Sequence, residues 1–269
     1  MTNTLLNHEV FGNGPELVVY LHEFFGSLRT WDPIRRYLDR RRRTHVFADV
    51  PGYGGSRRLE GPFEAERIHL EVNTLVDALN FDRFHLVGHS MNGRTVAIAL
   101  NADACGPQRI MSGAAITPVP ASGLHIDAQS RDFFRETIRS DDALTQAISG
   151  LTSGRHGPSF VAFKVDQNRR TSNSDVMEAY LAHLIFDPEP GRSLQKGSVN
   201  TPLLMVNGRF DMENMREQAQ KKTIPESFTH TEWVEMQASG HYPMDEEPAA
   251  LATVLEGFWE RVASPKTST

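Results

Sequence analysis

Short apolar runs, each closed by small or polar residues and each followed by a stretch of helical spacing, recur along this chain and leave it few possible architectures. Leu17-Val18-Val19-Tyr20-Leu21 and Thr44-His45-Val46-Phe47-Ala48 read as buried parallel strands. Trp31 to Arg40, between them, has helical spacing. Phe63 to Asn80, with Ile68, Val72, Leu75, Val76 and Leu79 on one face, predicts an amphipathic helix. Phe84 to Val87 predicts a third strand, Arg94 to Ala102 a helix, and Arg109 to Ile116 a further strand. Alternation of this kind implies an α/β fold with a mostly parallel central sheet flanked by helices, its reactive groups on loops at the carboxyl ends of the strands.

The alternation stops at Thr117-Pro118-Val119-Pro120-Ala121-Ser122-Gly123, where two prolines and a glycine interrupt regular structure. From 124 to 197 the sequence offers helical stretches at Phe133 to Ile138, Leu144 to Leu151 and Val176 to Ile185, and no clear strand. Alternation resumes with the strand Pro202 to Val206, a helix from Glu213 to Lys222, the strand Thr231 to Met236 and a last helix from Pro248 to Ala263. The expected organisation is a core in two parts, 1–120 and 198–269, with a helical cap, 121–197, inserted over the carboxyl edge of the sheet. Ser264 to Thr269 reads as a frayed tail.

Composition removes several classes of function. The net charge of −6 makes nucleic acid and anionic membrane unfavourable partners. Cys105 is the only cysteine, so no intrachain disulfide or cysteine-rich metal site can form. No spacing of His, Asp and Glu suggests a metal, and Gly52, Gly54 and Gly55 lack the lysine or helix that a phosphate cradle needs. Neither metal nor cofactor is expected. No apolar stretch approaches the roughly 20 residues that span a bilayer, and residues 1–10 lack the charged start and apolar run of a signal peptide. A cytoplasmic location follows as an expectation; oligomeric state is not legible. The basic cluster of Arg35, Arg36 and Arg40 to Arg43 reads as the solvated carboxyl end of a helix.

The chemistry concentrates in Leu86-Val87-Gly88-His89-Ser90-Met91-Asn92-Gly93, an apolar strand ending in a serine at a helix start. A serine hydroxyl is a poor nucleophile at neutral pH. It needs an imidazole to take its proton and a carboxylate to orient that imidazole. His241 lies in Gly240-His241-Tyr242-Pro243, between the last strand and the last helix, and Asp211 follows the strand ending at Val206. The chain order is serine, acid, histidine.

Together with His22-Glu23-Phe24-Phe25-Gly26 and Asp49-Val50-Pro51-Gly52-Tyr53-Gly54-Gly55-Ser56, these pieces give a chain that resembles the α/β-hydrolase fold family over nearly all its length apart from the cap. The resemblance implies Ser90 as nucleophile, Asp211 as acid, His241 as base, and an oxyanion hole made by the N–H groups of Met91 and Phe24. Two positions depart from the family. Asn92 stands where glycine is usual two places after the nucleophile, and asparagine tolerates unusual backbone angles better than most residues. Glu23 stands where the loop normally reads His-Gly, and a carboxylate there opposes oxyanion stabilisation unless it points away, is neutralised or acts on the substrate. Asp49 reads as a structural residue of its turn, and His22, His85 and His89 as hydrogen-bonded neighbours of the site.

The expected activity is hydrolysis of a carboxylic ester or lactone of a small to medium, largely apolar or aromatic molecule through an acyl-enzyme. Glu23, Phe25, Asn92, Phe133, Phe134 and Phe163 are the candidate substrate contacts. Hydrolysis of carbon-carbon, amide or carbamate bonds would use the same triad, and a non-enzymatic small-molecule receptor could keep it. A serine at the elbow argues against dehalogenase or epoxide hydrolase chemistry, which in this family relies on an aspartate there.

Overall fold

The computed structural model describes residues 5–186, 199–213, 215–217 and 227–264. Seven strands form one sheet in the order β1-β3-β2-β4-β5-β6-β7. They are β1 (His8–Phe11), β2 (Glu16–Leu21), β3 (Arg43–Ala48), β4 (Phe84–His89), β5 (Ile110–Ile116), β6 (Leu203–Gly208) and β7 (Thr231–Met236). Only β1 runs antiparallel, against β3. Strands β3, β4 and β6 are buried along their whole length, as parallel strands covered on both faces must be. The short edge strand β1 carries His8 and Glu9 among its four residues, so no apolar run announces it.

The sheet is flanked by α1 (Ala65–Ala78) and α2 (Met91–Ala104), and by the last helix of the chain, Pro248–Ala263. Helix α1 buries Ile68, Val72, Leu75 and Val76, the face its spacing predicted. Trp31 to Arg40 departs from expectation. Instead of one helix it forms two short 3₁₀ turns, Leu28–Trp31 and Arg35–Tyr37, on either side of Pro33, whose ring and missing N–H prevent a continuous helix. The arginine cluster correspondingly ends no helix, although Arg36, Arg40, Arg41 and Arg42 are exposed as expected. Arg43 is fully buried at the start of β3, where it pairs with Glu16 at 3.0 Å and with Glu256 and lies 5.0 Å from the Trp259 ring centre. Arg35 stacks 4.3 Å from the Phe47 ring centre and bridges to Glu9 at 2.6 Å.

Between β5 and β6 the chain leaves the sheet to form α3 (Ala128–Glu136), α4 (Asp141–Leu151), α5 (Pro158–Thr171) and α6 (Ser174–Tyr180), then a π turn at Leu181–Ile185. Asp127, Ser140 and Asn173 cap the first, second and fourth of these by accepting a backbone N–H inside the first turn. Helix α5 escaped the sequence reading because much of its buried face is polar: Lys164, Gln167 and Asn168 lie inward beside Val161. The cap boundary at 197, most of the helix expected over Glu213 to Lys222, and the tail beyond Ser264 lie outside the described residues.

Candidate active site

Strand β4 ends at His89 and α2 begins at Met91, which leaves Ser90 to make the whole turn alone. It does so at φ +54° and ψ −113°, a conformation unfavourable for any residue with a side chain. The turn is that tight because strand and helix touch, a Cβ on Gly88 overlapping the backbone carbonyl of Asn92, and because α2 lies against the loop after β5, where a Cβ on Gly93 would sit 2.5 Å from Pro118 Cβ. Surrounding hydrogen bonds hold the strained residue. Ser90 donates its N–H to Ile116 O at 2.9 Å, and its carbonyl accepts from Gly93 N and Val119 N, both at 2.9 Å. The backbone strain therefore falls on Ser90 itself, whereas the sequence placed it at Asn92. Asn92 is helical and fully buried, and its Nδ2 donates to the carbonyl of His22 at 2.5 Å.

Asp211 follows β6 and His241 follows β7, and both side chains are buried. His241 Nδ1 lies 3.0 Å from each carboxylate oxygen of Asp211. The two loops come close because Gly208 faces the backbone of Gly240 with no room for a Cβ between them. Burial alone would depress the imidazole's pKa. The charge and hydrogen bond of Asp211, with Glu23 and Glu246 farther off, outweigh burial and raise it above the ordinary histidine value.

The loop after β2 is held from several sides. His22 donates Nδ1–H to Glu23 O at 2.7 Å and accepts the Val50 N–H at Nε2 at 3.2 Å, while Tyr53 donates its hydroxyl to Phe24 O at 2.8 Å. The Phe24 N–H has no hydrogen-bond partner among the described residues. Met91 opens α2, so its N–H belongs to the first turn, where amides lack intrahelical acceptors and the helix favours negative charge. Asp49 takes the structural role expected of it, accepting from Leu28 N at 2.8 Å and Asn7 Nδ2 at 2.7 Å. His85 bonds Ser112 Oγ at 2.8 Å, and burial, with Arg43 and Arg83, pushes its pKa down to about 3.

Ser90 and His241 line one pocket with Glu23, Phe24, Phe25, Val119, Leu124, Phe134, Leu151, Ile185 and Met215. The expected contacts Glu23, Phe25 and Phe134 are among them; Asn92, Phe133 and Phe163 are not. Asn92 is packed behind the elbow, and Phe133 sits edge-on to Phe134 at 6.3 Å. Phe163 is 58% exposed, because a helix that buries Val161, Lys164 and Asn168 turns it outward. The sequence reading missed the aliphatic lining, since isolated Val, Leu and Ile residues carry no signal that separates a pocket wall from a core.

It also missed Glu246. This buried carboxylate accepts from the N–H groups on both sides of His241, Gly240 at 2.9 Å and Tyr242 at 3.2 Å, through Oε1. Its Oε2 pairs with Arg155 at 2.5 Å and lies 3.2 Å from His156, both in the segment joining α4 to α5. Lys164 of α5 pairs with the adjacent Asp245 at 2.6 Å. Among the described residues no group of three or more His, Cys, Asp or Glu is arranged to hold a metal ion, and no helix is long and apolar enough to cross a membrane.

The fold is shared with many solved structures. Est816, described as an N-acyl homoserine lactone degrading enzyme, superposes with a TM-score of 0.77 at 22% identity, covering 94% of this chain and 96% of that one. An esterase from Exiguobacterium antarcticum gives 0.77 at 16% identity over 96% of both chains. The enol-lactonase from Burkholderia xenovorans LB400 gives 0.71 at 18% identity over 95% of this chain and 96% of that one. Among curated proteins the similarity is partial. An acetyltransferase component of the acetoin cleaving system of Cupriavidus necator is 38% identical over 113 residues, 40% of this chain and 28% of the relative. A fluoroacetate dehalogenase from a Burkholderia species is 37% identical over 95 residues, 34% of this chain and 31% of the relative. The chain thus spans about a third or less of the length of these curated relatives. A family model for the alpha/beta hydrolase fold matches residues 16–248, and the chain belongs to that family.

Proposed function

We propose that the protein is a serine hydrolase of carboxylic esters or lactones. One observation carries the reading: a serine held at a left-handed turn and a histidine bonded to a buried aspartate open onto the same apolar cavity. Ser90 Oγ attacks the acyl carbon while His241 Nε2 takes its proton, and Asp211 stabilises the imidazolium that forms. The oxyanion lies against the N–H groups of Met91 and Phe24. His241 returns the proton to the leaving oxygen, then activates the water that releases the acid. No cofactor enters these steps.

The substrate we infer is a small molecule of modest size with a largely apolar acyl part, since Phe25, Val119, Leu124, Phe134, Leu151, Ile185 and Met215 surround the reacting groups. The segment between β5 and β6 supplies Leu124 from the stretch before α3, Phe134 from α3, Leu151 from α4 and Ile185 from the π turn, so it acts as a cap that shapes specificity. The lactone-degrading and esterase activities in the names of the structural neighbours agree with this class. The test is turnover of a panel of p-nitrophenyl esters and lactones, with a fluorophosphonate probe located by mass spectrometry. Turnover with the label on Ser90 is expected. Stoichiometric labelling of Ser90 without turnover of any acyl donor would replace the enzyme by a ligand receptor.

A further inference from the structure

Glu23 is left over by this chemistry, although it adjoins the Phe24 N–H that is to hold negative charge. Its side chain is 2% exposed, and its Oε2 accepts the Thr30 hydroxyl at 2.8 Å. The same Oε2 lies 3.2 Å from Nδ1 of the fully buried His89. On the far side of that ring, Nε2 lies 2.7 Å from the backbone carbonyl of His241. A carbonyl can only accept, so Nε2 carries a hydrogen. With a neutral imidazole and an ionised carboxyl group, Nδ1 and Oε2 would then face each other lone pair to lone pair, out of reach of water. One proton between them removes that repulsion, either as imidazolium and carboxylate or as imidazole and carboxylic acid. Burial penalises an isolated cation here and pushes His89 below its ordinary pKa, against the pull of Glu23. The pair is faced by His22 from the β2 loop, Lys164 from α5, and His241 and Tyr242 from the loop after β7, with the Trp31 ring steeply inclined to that of His89 at a centre-to-centre distance of 6.3 Å.

We propose that Glu23 and His89 share a single proton and serve as a positioning pair, gripping the carbonyl of His241 and keeping net negative charge out of the oxyanion loop. The inference rests on Ser90 and His241 being nucleophile and base. It gives the departure at Glu23 a role: the carboxylate is acceptable beside an oxyanion because its charge is cancelled by the histidine one residue before the nucleophile. Deprotonation of the pair at high pH would restore that charge and loosen the grip on His241 together.

Nuclear magnetic resonance of the full chain with ¹⁵N-labelled histidine reads the proton directly, and ester turnover reads its consequence. Expected is a His89 Nδ1 that is protonated or accepts a hydrogen bond from a proton on Glu23, a signature that disappears in Glu23→Ala. That variant should lose about a hundredfold in kcat, the scale of a misplaced catalytic group, with KM little changed. Glu23→Gln, whose amide donates to a neutral Nδ1, should recover most of that loss. It should also lack the alkaline decline in kcat expected of the wild type. A wild-type Nδ1 with neither proton nor hydrogen bond overturns the proposal, even if Glu23→Ala fails to fold. So does a Glu23→Ala enzyme with the wild-type kcat and pH profile. Absence of the fluorophosphonate label from Ser90 would instead overturn the parent reading, whatever the state of His89.

Discussion

The two halves of the site are held by different means. Ser90 is placed by its own backbone: a single residue at φ +54° joins a buried strand to a helix, and small neighbours let the two approach. His241 is placed by polar groups from distant segments. Its N–H donates to Leu151 O at 3.0 Å, and its carbonyl accepts from His89 at 2.7 Å and Thr117 Oγ1 at 3.1 Å. Glu246 ties down the residues on either side of it. A proposed nucleophile fixed by its own backbone geometry needs little beyond local sequence, whereas a proposed base fixed by long-range hydrogen bonds depends on partners scattered from His89 to Glu246.

That contrast is sharpest at the reacting atoms. Ser90→Ala and His241→Ala should each lower kcat/KM by at least about a thousandfold. Thermal melting should leave Ser90→Ala close to wild type, because the turn is made by the main chain; a large fall in Tm would mean that the hydroxyl holds the elbow together.

The histidine side should be vulnerable from farther away. Glu246→Ala leaves two loop amides unsatisfied and Arg155 without its carboxylate partner. It should cost about 3 kcal/mol of stability, as leaving two part-buried amides without a charged acceptor does, and about a hundredfold in kcat. Denaturant unfolding and steady-state kinetics measure the two effects. Arg155→Met, which spares the contacts of Glu246 with the loop, should cost much less of both; equal losses would show that the link to the cap, and not the loop contacts, positions the histidine.

The smallest effect expected is a displaced pH limb. As the proposed base, His241 must be neutral to act, and the charge of Asp211 raises its pKa. Activity should therefore fall as pH drops through a midpoint above the ordinary histidine value of about 6.5. In Asp211→Asn the residual activity should have its midpoint moved to lower pH, because the stabilising charge is gone. An unmoved midpoint in the pH dependence of kcat/KM would assign that limb to another group.

The features legible in the sequence are those with a local cause. The buried strands, the amphipathic helix α1, the elbow at Ser90 and the loop of Asp211 all follow from short-range pattern. Edge strand β1 was hidden by its polar residues, and α5 by a buried face that includes Lys164 and Gln167. Arg43 illustrates the same limit: whether a basic residue is solvated or buried against Glu16, Glu256 and Trp259 depends on chain segments that its neighbours do not reveal. The pairing of Glu23 with His89 spans 66 positions and leaves no periodic trace.

The excursion proposed to roof the cavity leaves the sheet from β5 and rejoins it at β6, its immediate neighbour, and near its base the Leu124 N–H meets the Ile185 carbonyl at 2.7 Å. Such a narrow neck lets the roof be exchanged or lengthened in the course of evolution without altering strand register, since closing a longer loop costs little more than closing a shorter one. One condition limits this freedom. The carbonyl of Leu151 belongs to that excursion yet anchors the amide of His241, so any successor must present an acceptor at that point; otherwise a change of diet comes with a misplaced imidazole.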